Sequence, residues 1–178
     1  KYITINDKPT IELDYSSLHI HLLYSKKKKN YEKIFGKDSD PYELEGLDKS
    51  YRKIIKVAFL VSLNMKNKKN YVQTVSRRLE EEDLFEKNIP YKEIIKQIML
   101  KHEIISSYFF SGIGLDLMYL DSLLTDYITG KFTKSQIPIL SIHDSYIVDR
   151  RHEKQLRETM TKAMTHNKFV SMPAIKVK

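Results

Sequence analysis

The first strongly patterned stretch is Thr10-Ile11-Glu12-Leu13-Asp14, where apolar and polar residues alternate with the period of a half-buried strand. Ser16 or Ser17 stands ready to cap a following helix with Leu18, Leu22 and Leu23 on one face. The lysine run Lys26 to Lys29, with Gly36 and Pro41 beyond it, marks residues 26–42 as an exposed connection. From Pro41 to Ile128 the spacing becomes helical. Asp48 is placed to cap a helix over 49–64, in which Ile54, Ile55, Ala58, Phe59, Val61 and Leu63 give a wide apolar face. Pro90 opens another, with Ile94, Ile95, Ile98, Met99, Ile104 and Ile105 at helical intervals. After Ser111-Gly112-Ile113-Gly114, a further helix carries Leu117, Leu120, Leu123, Leu124 and Ile128 and closes at Gly130.

At Ile137 the pattern returns to extended chain. Residues 137–143 and 145–149 read as a β-hairpin with His143-Asp144-Ser145 at its tip. A helix follows from Arg150, with Leu156, Met160, Ala163 and Met164 on one side, and 174–177 reads as a short strand. The order strand–helix, helical block, helix, hairpin, helix predicts an α+β domain: a small sheet with a helical insertion.

Two apolar strands thus end on an aspartate, Asp14 and Asp144. A strand end holds a carboxylate in a fixed place, and paired carboxylates are what two divalent ions need for phosphoryl or nucleotidyl transfer. A cap at Asp14 and a turn at Asp144 would explain either residue alone.

Length and charge narrow the picture. A chain of 178 residues fits one domain, or one domain with an inserted subdomain. The absence of cysteine excludes disulfides and thiolate zinc sites and suits a reducing, cytoplasmic setting. No apolar run approaches the roughly 20 residues of a membrane span, so no membrane partner is expected. Lys1 in place of Met, with no signal-peptide pattern after it, reads as part of a longer protein. The net charge of +8 favours a polyanionic partner, although Lys-, Asn- and Ile-rich usage is also what an AT-rich genome produces.

Three segments carry a family resemblance. "LDYSSLHIHLLY" resembles motif A of the A-family DNA polymerases, and "IPILSIHDSYIV" resembles motif C in the His-Asp-Ser form of single-subunit RNA polymerases. Between them "YRKIIKVAFLVSLN" looks like motif B, with Arg52 and Lys56 at Arg-x-x-x-Lys spacing. The motifs occur in family order, closest to divergent polymerase-primase-like proteins of phages and mobile elements.

The resemblance implies a polymerase palm with an inserted helical fingers subdomain: palm over 1–40 and 111–178, fingers over 41–110. It implies that Asp14, Asp144 and the Tyr15 carbonyl hold two Mg2+ ions, with Mn2+ able to substitute. Arg52 and Lys56, neighbours on one helix face, would hold the triphosphate. His143 would approach the primer terminus, and Ser145 stands where a carboxylate is common in the DNA enzymes. His19 and Asn64 occupy the positions that usually choose sugar and base, and neither follows the family pattern. From the residues themselves, Lys66, Lys68, Lys69, Arg77 and Arg78 could track the phosphate backbone of template or primer, with Tyr71 available for stacking, and a solvated loop explains them equally well. Asp121-Ser122, on the helix before the hairpin, could contact template or primer, but a surface position is the simpler reading. His102, His152 and His166 read as ordinary exposed residues.

The function expected is template-directed nucleotidyl transfer, in the manner of a DNA polymerase or a primase of a phage or mobile element. Its partners would be DNA template and primer, nucleoside triphosphates, and a helicase or small accessory protein. The rivals are a catalytically silent palm-like scaffold, an unrelated basic DNA-binding domain and a two-carboxylate nuclease.

Overall fold

The structure is a computed structural model and describes residues 3–84 and 89–178; residues 85–88 of the expected helical block lie outside them. The fold is α+β. The chain forms two compact units, residues 1–34 with 117–178, and residues 35–116.

The first unit is built on an antiparallel sheet of β1 (Thr4–Ile5), β2 (Lys8–Tyr15), β3 (Ile139–Ile142), β4 (Ser145–Asp149) and β5 (Ile175–Val177). The order is β1-β2-β4-β3, with β5 also paired to β2. Alternation decides the face of each residue on β2: Ile11, Leu13 and Tyr15 are buried, while Glu12 and Asp14 stay partly exposed. Register carries that division across the sheet, because Leu13 faces Tyr146 and Ile11 faces Val148.

Four helices belong to this part of the chain: α1 (Leu18–Lys26), the short α2 (Tyr31–Phe35), and, after three helices of the second unit, α6 (Gly114–Lys134) and α7 (Glu153–His166). Helix α7 packs on β2 and β4 and buries Leu156, Met160, Ala163 and Met164, the face expected from its spacing. On α6 the buried stripe is Leu117, Leu124, Ile128 and Phe132. Each large side chain so buried stabilises the fold by about 1.5–3 kcal/mol.

Three expectations change in this unit. Ser17 precedes α1 in a left-handed conformation (φ 56°) and makes no side-chain cap bond. Residues 26–42 are not wholly an exposed connection, since Tyr31 begins α2 and is buried against His21 and Tyr24. Gly130 does not end α6. Glycine costs about 1 kcal/mol in a helix interior, which burial of Ile128 and Phe132 on either side outweighs.

The second unit gathers α3 (Arg52–Asn64), α4 (Tyr71–Glu81) and α5 (Tyr91–Lys101), with α3 packed against both others. Asp48 accepts from Ser50 N–H at 2.8 Å and opens a 3₁₀ turn that leads into α3. The periodic stretch through Ile105 divides into α5 and a 3₁₀ turn at Glu103–Tyr108. His102 is not exposed. It is fully buried between Phe35 and Phe59, and its Nε2 donates to the Pro41 carbonyl at 3.0 Å.

Candidate active site

The register of β2 and β4 places Asp14 directly opposite Ser145. Beyond that pair the hairpin turns through His143 and Asp144, and Tyr15 N–H donates to the Asp144 carbonyl at 3.2 Å. The two aspartate-bearing segments are therefore adjacent, though the aspartates are 130 positions apart in sequence. His143 holds the turn at φ 52°, the left-handed region that few non-glycine residues enter.

An aromatic residue anchors each segment to a helix. Tyr15 donates its hydroxyl to the Met160 carbonyl of α7 at 2.5 Å. Tyr146 shares a hydrogen bond of 2.8 Å with Thr125 of α6. The two rings meet edge to face at 6.3 Å. Burial raises both phenol pKa values above their ordinary range, so both stay neutral.

The solvent side of this strand pair is charged. Glu12 and Asp14 share a face of β2, as period two requires. Ser145 Oγ donates to Glu12 Oε1 at 2.6 Å. Lys178 Nζ lies 3.0 Å from Asp14 Oδ1 and 3.6 Å from Glu12 Oε1. The hydrogen bond to Asp14 raises the Lys178 pKa against the opposing effect of desolvation, and the charges of Asp14, Glu12 and Asp144 add to it.

One neighbour departs from its expected place. Asp121 of α6 is not a free surface residue: its Oδ1 is buried and has no hydrogen-bond partner. Burial, then the charge of Asp144, pushes its pKa up to about 6, and His143 acts in the opposite sense.

These donors suit a hard cation. Oxygen ligands, one or two of them carboxylates, are what Mg2+ takes when substrate phosphates complete its shell. The partnerless Oδ1 of Asp121 is an oxygen that a cation or a water could satisfy. Among the described residues no group of three acidic, His or Cys side chains forms a ready-made cage. Of the expected ligands, Asp14, Tyr15 and Asp144 thus come together, with His143 and Ser145 beside them. His19 lies half-buried in the first turn of α1.

The other expected residues belong to the second unit. Arg52 and Lys56 share the exposed face of α3. Arg52 donates to Asp40 through Nε, with Nη2 3.4 Å from the other carboxylate oxygen, and lies over the Tyr42 ring at 5.4 Å. Burial pushes the Asp40 pKa up, but hydrogen bonds from Arg52 and Tyr42 and the charges of Arg52 and Lys101 bring it below its ordinary value.

Asn64 closes α3 with Nδ2 donating to the Leu60 carbonyl at 2.8 Å, and its carboxamide covers Gly114 so closely that a Cβ there would stand 1.8 Å from Oδ1. Lys66 lies along Gly112, whose φ of 72° and N–H bond to the Met65 carbonyl fix the turn. Lys68 sits 5.5 Å over the Phe110 ring, and Lys69 is exposed. Arg77 and Arg78 lie on α4, where both pair with Glu81. Tyr71 is not available for base stacking: it is buried against Phe110, with its hydroxyl on the Ala58 carbonyl at 3.1 Å.

Among the described residues no helix is long and apolar enough to cross a membrane. No family model matches the chain, and no curated protein matches it. Among solved structures it is similar to the POL domain of Pol1 from M. smegmatis, solved in complex with DNA primer-template and dNTP. Identity is 10% and the TM-score 0.47, over 98% of this chain and 40% of that one.

Proposed function

We propose that this chain carries the palm and fingers of a small template-directed nucleotidyltransferase, in the manner of an A-family DNA polymerase or a primase of a phage or mobile element. The unit of residues 1–34 and 117–178 would be the palm, and residues 35–116 the fingers. The observation that carries the reading is the pairing of Asp14 with Ser145 and of Tyr15 N–H with the Asp144 carbonyl. It joins the two motif aspartates at one end of a rigid strand pair.

Asp14 and Asp144 would hold the divalent ions, with the Tyr15 carbonyl as a further oxygen donor. Mg2+, when bound, would supply the positive charge that favours the primer 3′-oxygen as nucleophile and offsets charge on the triphosphate. The remaining work falls to the chain's own groups. Tyr15 and Tyr146 keep the aspartates in place from beneath, through α7 and α6. Arg52 and Lys56 present two cations on one helix face for the triphosphate, and Arg52 would exchange Asp40 for phosphate. His143 sits at the turn, where it would meet the primer end. Asn64, folded over Gly114, offers no ring to stack on the incoming base, so this protein would select nucleotides by other contacts.

A silent palm-like module that only binds nucleic acid is the second reading. Engagement of Asp14 by Lys178 and of Arg52 by Asp40 favours it. Primer extension and de novo synthesis with labelled dNTPs or NTPs and Mg2+ separate the two. Incorporation by wild type that is lost in Asp144→Ala supports the polymerase. Equal incorporation by both proteins removes Asp144 from the site, and none by the wild-type chain favours the silent module.

A further inference from the structure

Helices α1 and α7 end in the same way. Past Lys26, Lys28 N–H donates to the Ser25 carbonyl and Lys29 N–H to the Tyr24 carbonyl, each at 2.9 Å. Past His166, Lys168 N–H donates to the Thr165 carbonyl and Phe169 N–H to the Met164 carbonyl, each at 3.0 Å. Both are Schellman endings, whose turning residue is left-handed and usually glycine. Here it is lysine both times, Lys28 at φ 54° and Lys168 at φ 59°. The turn itself does not call for a cation, since α4 and α6 close with the same bonds on Asp83 (φ 54°) and Gln136 (φ 55°). Nor does the helix dipole, which acts within the last turn, where Lys26 and His166 already stand.

The two endings are tied together. Asn30 Nδ2 donates to the Val170 carbonyl at 2.8 Å, and Ser171 N–H donates to Ser25 Oγ at 3.0 Å. Ser171 Oγ accepts from Tyr31 N–H at 2.9 Å, and the Tyr31 ring is buried edge to face against Tyr24. Residues on both sides of the lysine run are thus bonded to the segment that follows Lys168. The run is a fixed corner. Residues 26–33 hold five lysines and one glutamate, and no acidic residue occurs between Thr159 and Lys178. Lys28, Lys29, Lys33 and Lys168 are exposed, and among the described residues none of them pairs with a carboxylate. Like charges gathered on a fixed backbone repel, and a polyanion relieves that repulsion.

We propose that the joined ends of α1 and α7 bind the phosphate backbone of double-stranded nucleic acid, with Lys28, Lys29, Lys33 and Lys168 as the contacts. The nine residues of α1, about 14 Å of helix, lie between this corner and the segment that carries Asp14, so the surface is distinct from the candidate active site. It goes beyond the reading of that site and would serve a polymerase and a silent module alike. A single strand is held by aromatic rings that stack on its bases, and an anionic membrane by large side chains inserted beside the cations. Tyr24 and Tyr31 are buried and offer neither, which leaves backbone contact to a duplex.

The test is fluorescence anisotropy of a labelled DNA duplex with the full chain, in EDTA and without nucleotide, between about 50 and 200 mM KCl. One variant carries Lys28→Gln, Lys29→Gln, Lys33→Gln and Lys168→Gln. A control carries Gln at Lys92, Lys96, Lys134 and Lys154, exposed positions that remove the same charge elsewhere. The expected result is binding at least about tenfold weaker in the corner variant, with a salt slope shallower by about three, and a control near wild type. Lys28→Gly with Lys168→Gly is the second variant. Glycine fits both turns, so its thermal midpoint should hold or rise while affinity falls and the slope drops by about two. Equal losses in the corner variant and the control overturn the proposal, because net charge alone would then bind the duplex. Wild-type affinity in both corner variants overturns it as well. If phosphatidylserine vesicles then sediment the wild type and not the corner variant, the surface belongs to a membrane.

Discussion

The ammonium of Lys178 lies 3.0 Å from the Asp14 carboxylate and within reach of Glu12. Pairing of β5 with β2 puts it there, since Val177 faces Leu13 and Lys178 N–H donates to the Glu12 carbonyl at 3.1 Å. The chain thus keeps a cation of its own beside the carboxylate assigned to a divalent ion. Lys178→Gln should tighten Mn2+ binding about three- to tenfold, a modest gain because the lysine is half exposed and screened. Calorimetric titration reads the change; equal or weaker binding would show that Lys178 does not compete for the site.

The hydroxyl of Tyr15, the residue after Asp14, is bonded to the Met160 carbonyl. Tyr15→Phe leaves the ring in place and a buried carbonyl without that donor. It should cost about 1–2 kcal/mol in urea unfolding with an unchanged slope. A loss within a few tenths of a kcal/mol would mean that the bond contributes little.

Two buried histidines predict acid sensitivity. Burial lowers the pKa of His21 and of His102 to about 4, from 6.5 in the unfolded chain. Between those values the unfolded chain binds more protons than the folded one, so stability is whole above about pH 6.5 and falls as pH drops towards 4. The slope should approach about 1.4 kcal/mol per pH unit for each histidine. Thermal midpoints from pH 8 to pH 4 measure it. His102→Gln should lower overall stability yet flatten the slope; a flat wild-type profile between pH 6.5 and 4.5 would contradict the account.

Asn64 and Gly114 share one space. A Cβ on Gly114 would displace the Asn64 carboxamide from the Leu60 carbonyl. Gly114→Ala should therefore destabilise more in wild type than in an Asn64→Ala background, with a coupling of at least about 0.5 kcal/mol. Additive effects in urea unfolding would show that the side chain moves aside without cost.

Local pattern made much of the scaffold legible. Strict alternation through Ile11, Leu13 and Tyr15 gave away β2, and the spacing of Leu156, Met160, Ala163 and Met164 gave away α7. The aspartates at 14 and 144 could be placed because each closes an apolar run. What escaped depends on partners distant in sequence. Nothing near Lys178 tells that β5 lies beside Asp14, since that is a matter of register. Tyr71 disappears into the packing of α3 on α4. Two signals were present and missed: Asp121 falls at helical spacing between Leu117 and Thr125, and His102 extends the stripe of Ile94 and Ile98. A polar residue at an apolar interval marks a buried polar group: His102 is bonded to the Pro41 carbonyl, and Asp121 Oδ1 has no partner.

The central claim is that Asp14 and Asp144 act in a single site. The direct measurement is the rate of Mg2+-dependent nucleotide incorporation by Asp14→Asn, Asp144→Asn and the double variant. The account predicts a loss on the order of a thousandfold or more in each single variant and little further loss in the double, because either change disables the same step. Rates near wild type in either single variant, or losses that multiply in the double, would contradict it.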